Sequence, residues 1–405
     1  MKDGWQRNQL GELAELKGRI GWRGLTAKEY TKSGPLFLSV HSLNSCDYVD
    51  FRDAFHISEE RYLESPEIML QSDDVLICKD GAGIGKVGIV GELPDRTTIN
   101  SSLLLIRSGK NILPKFLYRC LSSPYFQQIV NSRLNGATTP HLYQRDITEF
   151  PVFLPPLPEQ QRIVGILDEA FEGIATAKAN AEKNLQNARA LFDSHLQSVF
   201  NQRGEGWEEK RLGDIAVFKN GLNFTRQSKG QTLRMVGVGD FQDNSVVPIG
   251  LLQLVTIDGE LSNDYLIRRD DILTVRSNGS KDLVGRCMLV PNVGGMISYS
   301  GFIIRIRFDT RQISPRFLLR FMKSSETRER LTRDGGGANI SNINQAKLSE
   351  LPISLPSFSQ QEEITSRFDA LATETQRLES IYKEKLSALD ELKKSLLDQA
   401  FSGQL

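Results

Sequence analysis

Short apolar runs bounded by turn residues alternate with long helical patterns along this chain. The runs are typical of β-strands joined by short connections, and examples are DDVLICKDG, KVGIVG, NSSLLLIRSG and GFIIRIRFD. Helices are predicted around 114–132 and around 315–331, because Pro114 and Pro315 stand where a first helical turn tolerates proline. The pattern therefore predicts a mixed α+β chain.

Two further stretches predict much longer helices. From Ile163 to Val199 and from Ile364 to Leu396, apolar residues recur at spacings of three and four without a proline. At ~1.5 Å per residue, each helix would be roughly 60 Å long. An ordinary hairpin of core helices is the alternative, but a helix of this length outgrows a single core. The spacing favours a coiled-coil seam.

The two halves of the chain repeat each other with a period of about 201 or 202 residues. Gly4-Trp5 recurs as Gly206-Trp207, and LPPLPEQQRI from Leu154 recurs as LPSFSQQEEI from Leu355. We predict globular domains at 1–156 and 204–356 and long helices at 157–203 and 357–405.

A glycine pattern between Gly83 and Gly88 satisfies GxGxxG after a predicted strand. A dinucleotide site would need a helix to begin there, so that its N-terminus could meet the phosphates. The residues that follow, KVGIVG, continue instead as a second strand. A tight turn between strands is the favoured interpretation, and a nucleotide site is the weaker one.

The charge of the chain bears on whether it could bind nucleic acid. Fifty basic residues balance fifty acidic ones, which argues against a polycation that coats nucleic acid but not against a local basic face. Between Trp207 and Glu350, 21 Lys and Arg face 16 Asp and Glu, whereas residues 1–156 contain 18 of each. The second globular domain is therefore mildly basic and the first is neutral.

Few residues suit metal or catalytic chemistry. Four scattered cysteines form no CxxC pair, and four histidines form no HExxH motif, so we expect neither a disulfide framework nor a metal site. No nucleophile elbow or kinase motif set is present. The N-terminus lacks the apolar core of a signal peptide and no apolar run approaches 18 residues, so we expect a cytoplasmic protein.

Polar loops precede the proline-rich end of each globular domain. They run from Asn135 to Arg145 and from Gly335 to Gln345 and are rich in Asn, Gln, Ser and Thr. These side chains read donor and acceptor patterns on base edges. Taken alone, such loops are more often solvated surface.

The chain resembles the specificity subunit of type I restriction–modification systems. The resemblance rests on LPPLPEQQ from Leu154, LKKSLLDQAFSG from Leu392 and the opening Trp5-x4-Leu-Gly-Glu-Leu, and it spans essentially all 405 residues. The second proline-rich segment departs from the pattern, since Ser359 and Gln360 stand where the first has Pro158 and Glu159. That departure weakens the expectation of equivalent partner contacts there.

The resemblance implies a non-catalytic subunit that reads double-stranded DNA. It implies two tandem α/β target-recognition domains, each followed by a long helix, with the helices paired as an antiparallel coiled coil in a pseudo-twofold repeat. Each domain would read one half of an asymmetric bipartite target, and helix length would set the gap between the halves. Two modification subunits carrying S-adenosylmethionine would methylate adenine, restriction subunits using ATP would join them, and this chain would hold no cofactor.

Loop position and the resemblance nominate the site residues. For DNA contact by the first domain they are Lys79, Lys86, Thr138, Thr139, His141, Tyr143 and Arg145. For the second they are Arg276, Asn278, Lys281, Asn339, Ser341, Asn342 and Asn344. For partner binding they are Glu159, Gln160, Gln161, Gln361 and Glu362.

Two other function classes compete with this interpretation. A nucleotide-binding enzyme would use the loop from Gly81 to Gly88, and nucleotide would then raise the thermal stability of the lone chain. A coiled-coil scaffold would show no sequence preference on DNA, even with partners present.

Overall fold

The computed structural model describes residues 4–19, 25–44, 47–134, 141–201, 206–242, 244–333 and 342–405. It divides into two units. Unit 1 comprises Met1–Glu182 and Lys383–Leu405, and unit 2 comprises Lys183–Tyr382. Each unit therefore contains one globular part and a stretch of each long helix.

The globular part of unit 1 is β-rich and leads into the first long helix. Its elements are β1 Gln6–Gln9, α1 Leu10–Leu13, β2 Ala14–Lys17, β3 Thr31–Leu38, β4 Phe55–His56, α2 Glu59–Leu63, β5 Val75–Cys78, β6 Val87–Ile89, β7 Thr97–Ile99, β8 Leu103–Ser108, α3 Pro114–Leu121, α4 Pro124–Leu134, α5 Gln144–Thr148, β9 Pro151–Leu154 and α6 Leu157–Asn201.

Unit 2 has a similar order of elements and leads into the last long helix. Its elements are β10 Glu208–Arg211, α7 Leu212–Ile215, β11 Ala216–Asn220, β12 Thr232–Val236, β13 Gln253–Thr256, β14 Ile272–Val275, β15 Cys287–Leu289, β16 Ile297–Tyr299, β17 Ile303–Phe308, α8 Pro315–Lys323, α9 Ser325–Thr332, α10 Gln345–Ser349, β18 Pro352–Leu355 and α11 Phe358–Ser402.

The same three sheets form in both units. In unit 1, β1 pairs with β9, four strands form an antiparallel sheet in the order β2-β8-β5-β6, and three form a mixed sheet in the order β4-β3-β7. In unit 2 the corresponding orders are β10-β18, β11-β17-β14-β15 and β13-β12-β16. The predicted duplication and the mixed fold class are confirmed.

Strand β5 shows why the central strands are continuous apolar runs. Val75 and Ile77 pack in the cluster that contains residues of α3 and α6, whereas Leu76 and Cys78 pack in the cluster that contains residues of β3 and β7. All four side chains are fully buried. A strand covered on both faces loses the alternation of apolar and polar residues.

The helices predicted around 114–132 and 315–331 are each two helices. Ser123 Oγ accepts a hydrogen bond from the backbone N–H of Phe126 at 3.3 Å, and Ser324 Oγ accepts one from Thr327 at 3.3 Å. A serine that caps a new helix in this way has extended backbone and interrupts the preceding one. The prediction of single helices was wrong at these serines, and Pro124 was the signal for the first break.

The long helices pack against each other in antiparallel fashion within each unit, as predicted. In unit 1, Lys178 of α6 donates to Asp390 of α11 at 2.7 Å. In unit 2, Arg189 of α6 donates to Glu379 of α11 at 2.9 Å. Unit 1 also has Lys393 at 4.8 Å from the Phe171 ring, and unit 2 has the rings of His195 and Phe368 at 5.8 Å. Within each unit, partner numbers therefore fall along α11 as they rise along α6, as in antiparallel helices. Each helix is 45 residues long.

A buried ion pair recurs at the entry to the central strand of each unit. Asp74 accepts two hydrogen bonds from Arg107 at 2.7 Å and one from the backbone N–H of Gln71 at 2.7 Å. Asp271 has the same bonds from Arg307 at 2.7 and 2.6 Å. These carboxylates hold a turn and a neighbouring strand in place.

We predict that Arg107→Met destabilises unit 1 by about 3 kcal/mol, because Asp74 is left as an uncompensated buried charge. The Asp74 side chain is only 1% exposed. Arg52→Met is the matched control, since the Arg52–Asp50 pair is exposed on the arginine side and is worth less than about 1 kcal/mol. Hydrogen exchange of the β5 and β8 amides measures both variants. Equal losses would contradict the prediction.

Candidate nucleic-acid interface

Three loops of unit 1 meet along one edge, which we call the first loop edge: residues 79–86, 100–102 and 141–145. The backbone N–H of Lys79 donates to Ser102 O at 2.8 Å, and that of Leu142 donates to Lys79 O at 2.9 Å. Asp80 and His141 form a β-bridge. The turn after β5, the turn before β8 and the segment before α5 are therefore joined by backbone hydrogen bonds.

Unit 2 has the same arrangement at the second loop edge: residues 276–286, 300–302 and 342–345. Arg276 N–H donates to Phe302 O at 2.9 Å, and Ile343 N–H donates to Arg276 O at 2.8 Å. Ser277 and Asn342 form the corresponding bridge. The duplicated backbone therefore holds the same three loops together in both units.

The side chains on the two edges differ although the backbone bonds are the same. Where the first edge has Lys79, Asp80, Ser102, His141 and Tyr143, the second has Arg276, Ser277, Phe302, Asn342 and Asn344. Backbone hydrogen bonds place no demand on these side chains, so they are free to differ. A frame of this kind can present two different sets of donors, acceptors and rings.

The first edge combines aromatic and titratable groups. His141 Nδ1 contacts the Asp80 carboxylate, and the His141 ring lies 4.5 Å from the ring of Tyr143, edge to face. Tyr143 is 60% exposed. Lys86 is exposed and donates to Asn44 Oδ1 at 2.6 Å. The predicted residues Lys79, Lys86, His141 and Tyr143 are thus brought onto one edge.

The second edge is basic. Arg286 donates to Phe241 O at 3.3 Å and Arg328 of α9 donates to Val284 O at 3.1 Å. Both acceptors are neutral, so these bonds leave the guanidinium charges uncancelled. A cavity of about 280 Å³ beside the edge is lined in part by Arg286, Lys323 and Arg328. Burial lowers the pKa of Lys323.

Arg276 has an unused donor. Its Nε is buried and has no hydrogen-bond partner among the residues that the structure describes. A buried donor without a partner costs about 1–3 kcal/mol. An acceptor supplied by a ligand at this edge would remove that cost.

The other predicted DNA-contact residues have mixed outcomes. Arg145 is exposed in the first turn of α5, and Lys281 is exposed in the turn after β14. Asn278 Oδ1 accepts from Ser280 N at 2.8 Å, and Asn344 Oδ1 caps α10 by accepting from Lys347 N at 2.8 Å, so both oxygens have local structural roles. The remaining predicted residues lie outside the described part of the chain: Thr138, Thr139, Asn339 and Ser341.

The turns before β8 and β17, which contribute Ser102 and Phe302 to the edges, were not among the predicted contact sites. Aligning the two repeats places these residues opposite each other, at the start of NSSLLLIR and SGFIIRIR. Phe302 is 58% exposed. A phenylalanine in one repeat and a serine in the other, directly before a buried strand, was the sequence signal that could have indicated a contact position here.

The glycine-rich loop is a turn between antiparallel strands. Residues Gly81–Gly83 form one 3₁₀ turn, and the chain then enters β6, which pairs with β5. In the described chain, the element directly after these glycines is strand β6 and not a helix, so the loop lacks the feature on which a dinucleotide site depends.

Thiol and metal chemistry find no support among the described residues. Burial raises the pKa of the Cys120 thiol to about 12 and that of the Cys287 thiol to about 11, which keeps both protonated at neutral pH. Within the described ranges, no group of three or more His, Cys, Asp and Glu could hold a metal ion. In the same ranges, no helix has the length and apolarity needed to cross a membrane.

The structure corrects the partner-binding prediction for Gln160 and Gln361. Gln160 is fully buried: Oε1 accepts from Leu113 N at 2.8 Å, and Nε2 donates to Asn111 O and Pro155 O at 2.9 Å. Gln361 makes the equivalent three bonds. Both side-chain amides are buried and make their hydrogen bonds within their own unit, so a partner protein cannot contact them.

The other three residues predicted for partner binding are accessible. Gln161 and Glu362 are exposed and Glu159 is half-buried, with an ion pair to Arg162 at 2.7 Å. Their contact with a partner stays a prediction.

Comparison with known proteins adds a family and a fold. A family model described as the type I restriction modification DNA specificity domain matches residues 2–186 and again residues 204–387. The type I restriction enzyme StySPI specificity subunit of Salmonella potsdam is 24% identical over 423 residues, covering 100% of this chain and 90% of that protein.

Two solved structures share the fold. A chain from the study of complex assembly and conformational transition of the type I R-M system has a TM-score of 0.78 at 20% identity, with 100% of this chain and 99% of that chain covered. The HsdS subunit from Thermoanaerobacter tengcongensis has a TM-score of 0.63 at 19% identity, with 100% and 98% covered.

We predict that Gln160→Ala destabilises unit 1 by about 3 kcal/mol, because it strands the buried Leu113 N–H and two carbonyl oxygens. Gln161→Ala, one position along, should change stability by less than about 0.5 kcal/mol because that side chain is exposed. Hydrogen exchange of the α3 amides distinguishes the two. A stable Gln160→Ala chain would show that the amide bonds are dispensable.

Proposed function

We propose that this chain, which belongs to the type I restriction modification DNA specificity family, is the DNA-reading subunit of a type I restriction–modification complex. Each unit would read one half of a bipartite, asymmetric target. The observation that carries the proposal is the pair of loop edges, on which one backbone arrangement presents two different sets of side chains.

Base reading explains that difference better than a purely structural role does. Arg and Lys pair with guanine and Asn with adenine at major-groove edges, and such groups populate the second edge. The first edge combines lysines with a histidine and a tyrosine. Two frames with unlike side chains would recognise unlike half-sites, which is what an asymmetric target requires. We propose that the predicted contact residues on the two edges act in this way, and that Thr138, Thr139, Asn339 and Ser341, which lie outside the described residues, do so as well.

We propose further that the chain acts without catalysis of its own. Two modification subunits would bind it, carry S-adenosylmethionine and methylate adenine, and restriction subunits using ATP would join them. Accessible residues near the starts of the long helices, the half-buried Glu159 and the exposed Gln161 and Glu362, support partner docking at those places. The complex would act on DNA in the cytoplasm, and this chain would hold no cofactor or metal.

We predict that Tyr143→Ala changes the sequence preference at one half-site only, because Tyr143 is an exposed side chain on the first edge. Asn342→Ala should change only the other half-site. Loss of a good base contact costs about 1–3 kcal/mol, so methylation of the affected half-site should fall on the order of tenfold. Motif-resolved adenine methylation in cells that contain the modification subunit measures both.

Leu63→Ala is the control for this experiment, since Leu63 is equally exposed but lies on α2, outside the first edge. It should leave the methylated motif unchanged. If Tyr143→Ala altered both half-sites, a separate reader in each unit would be ruled out.

The lone chain should bind DNA weakly, because its net charge is zero and affinity for DNA comes mainly from neutralised phosphates. With the modification subunit present, binding should tighten by at least about tenfold and fall steeply as salt rises. Fluorescence anisotropy on one target duplex at 50 and 200 mM salt tests this. Equal, salt-resistant affinity with and without the partner would contradict it.

A further inference from the structure

Phe302 is a large apolar side chain that is exposed to solvent at the second loop edge. It is 58% exposed and stands at the last position of the turn before β17. Single exposed apolar residues are common on protein surfaces, so exposure alone carries no function. The position of Phe302 within the edge is what distinguishes it.

The turn that carries Phe302 is fixed from two sides. Gly301 N–H donates to Leu222 O at 2.7 Å, and Ile303 N–H donates to Ser300 O at 2.9 Å. The space where Gly301 would carry a Cβ is occupied by the side chain of Asn223. The backbone at Phe302 is therefore held in place by hydrogen bonds next to the start of β17. This fixes the position from which the Phe302 ring projects.

Two polar residues belong to the same edge as Phe302. Arg276 N–H donates to Phe302 O, and Asn342 precedes Ile343, whose N–H donates to Arg276 O. The Asn342 side chain is exposed. An apolar ring and an amide on one edge fit the base-pair edge that offers both a methyl group and the groups of adenine that an amide binds.

That edge contains thymine. In the major groove, the thymine C5-methyl group is the apolar feature of the four base-pair edges, and phenylalanine is among the side chains that contact it. Unit 1 has Ser102 at the equivalent position, and the first edge presents the exposed ring of Tyr143 at another place. A ring at position 302 therefore gives the second edge an apolar contact that the first edge lacks at that place.

We propose that Phe302 packs against the C5-methyl group of a thymine in the half-site read by unit 2 and so specifies an A·T pair there. This inference rests on the proposed function and deepens it. Phe302 becomes a specificity-determining residue of the second edge, while Arg276 and Asn342 supply the polar contacts beside it.

Uracil substitution tests the contact directly, because deoxyuridine keeps every hydrogen-bonding group of thymidine and removes one methyl group. The target is first found by motif-resolved methylation with the wild-type chain and its modification subunit. Duplexes then replace each thymine of the unit 2 half-site in turn. At one position, we expect kcat/KM for methylation to fall about fourfold, as the loss of one buried methyl group implies.

Phe302→Ser, which installs the residue that unit 1 carries, should lower the rate on the thymine duplex about fourfold or more and abolish the difference between thymine and uracil. Phe302→Leu should keep part of that difference. Leu254→Ser is the control: Leu254 is also exposed, on β13 outside the edge, and should preserve the wild-type ratio.

The possible failures are distinguishable. If the wild-type chain directs no motif-specific methylation, the proposed function falls. If it does, but Phe302→Ser leaves the ratio of thymine to uracil rates unchanged, the Phe302 contact is refuted and the proposed function stands. Loss of activity in Phe302→Ser with no uracil effect in the wild type would also refute the methyl contact and indicate a ring that unstacks a base step.

Discussion

A buried glutamine fixes the direction in which each long helix leaves its globular part. Gln160 bonds to the loop before α3 and to the proline-rich corner before α6, and Gln361 does the same in unit 2. Three hydrogen bonds to backbone leave the amide no alternative orientation. Because the helix is stiff, these bonds help to set the orientation of the loop edge relative to its own helix.

A second attachment lies about two turns further along the helix. Arg119 donates to Asp168 at 2.9 Å, and its guanidinium lies 4.6 Å from the ring of Phe171 on the same helix. In unit 2, the corresponding Arg320 lies 5.7 Å from the ring of Phe192, which belongs to the other long helix. Arg320 keeps the equivalent bond to a carboxylate of α11, since it donates to Asp369 at 2.8 Å, so each unit has a second attachment to a long helix.

The sequence predicted the elements that repetition and periodicity encode. The duplication, the two long helices and the hairpin at Gly81–Gly83 all follow from such local patterns. It did not predict that Gln160 is buried, because a glutamine on a helix start looks solvent-facing until the loop before α3 is placed over it. Nor did it find Phe302, because its neighbours Arg276 and Asn342 join it only through non-local backbone bonds.

Comparison of the two units distinguishes positions at which the residue is the same from positions at which it differs. Asp74 and Arg107 are retained as Asp271 and Arg307, since removing either partner would strand a buried charge. The loops of each edge are joined by backbone atoms, which impose no such constraint, and side chains at several equivalent positions differ, as at Ser102 and Phe302. Side chains on the edges can therefore change without loss of the backbone bonds that join the loops.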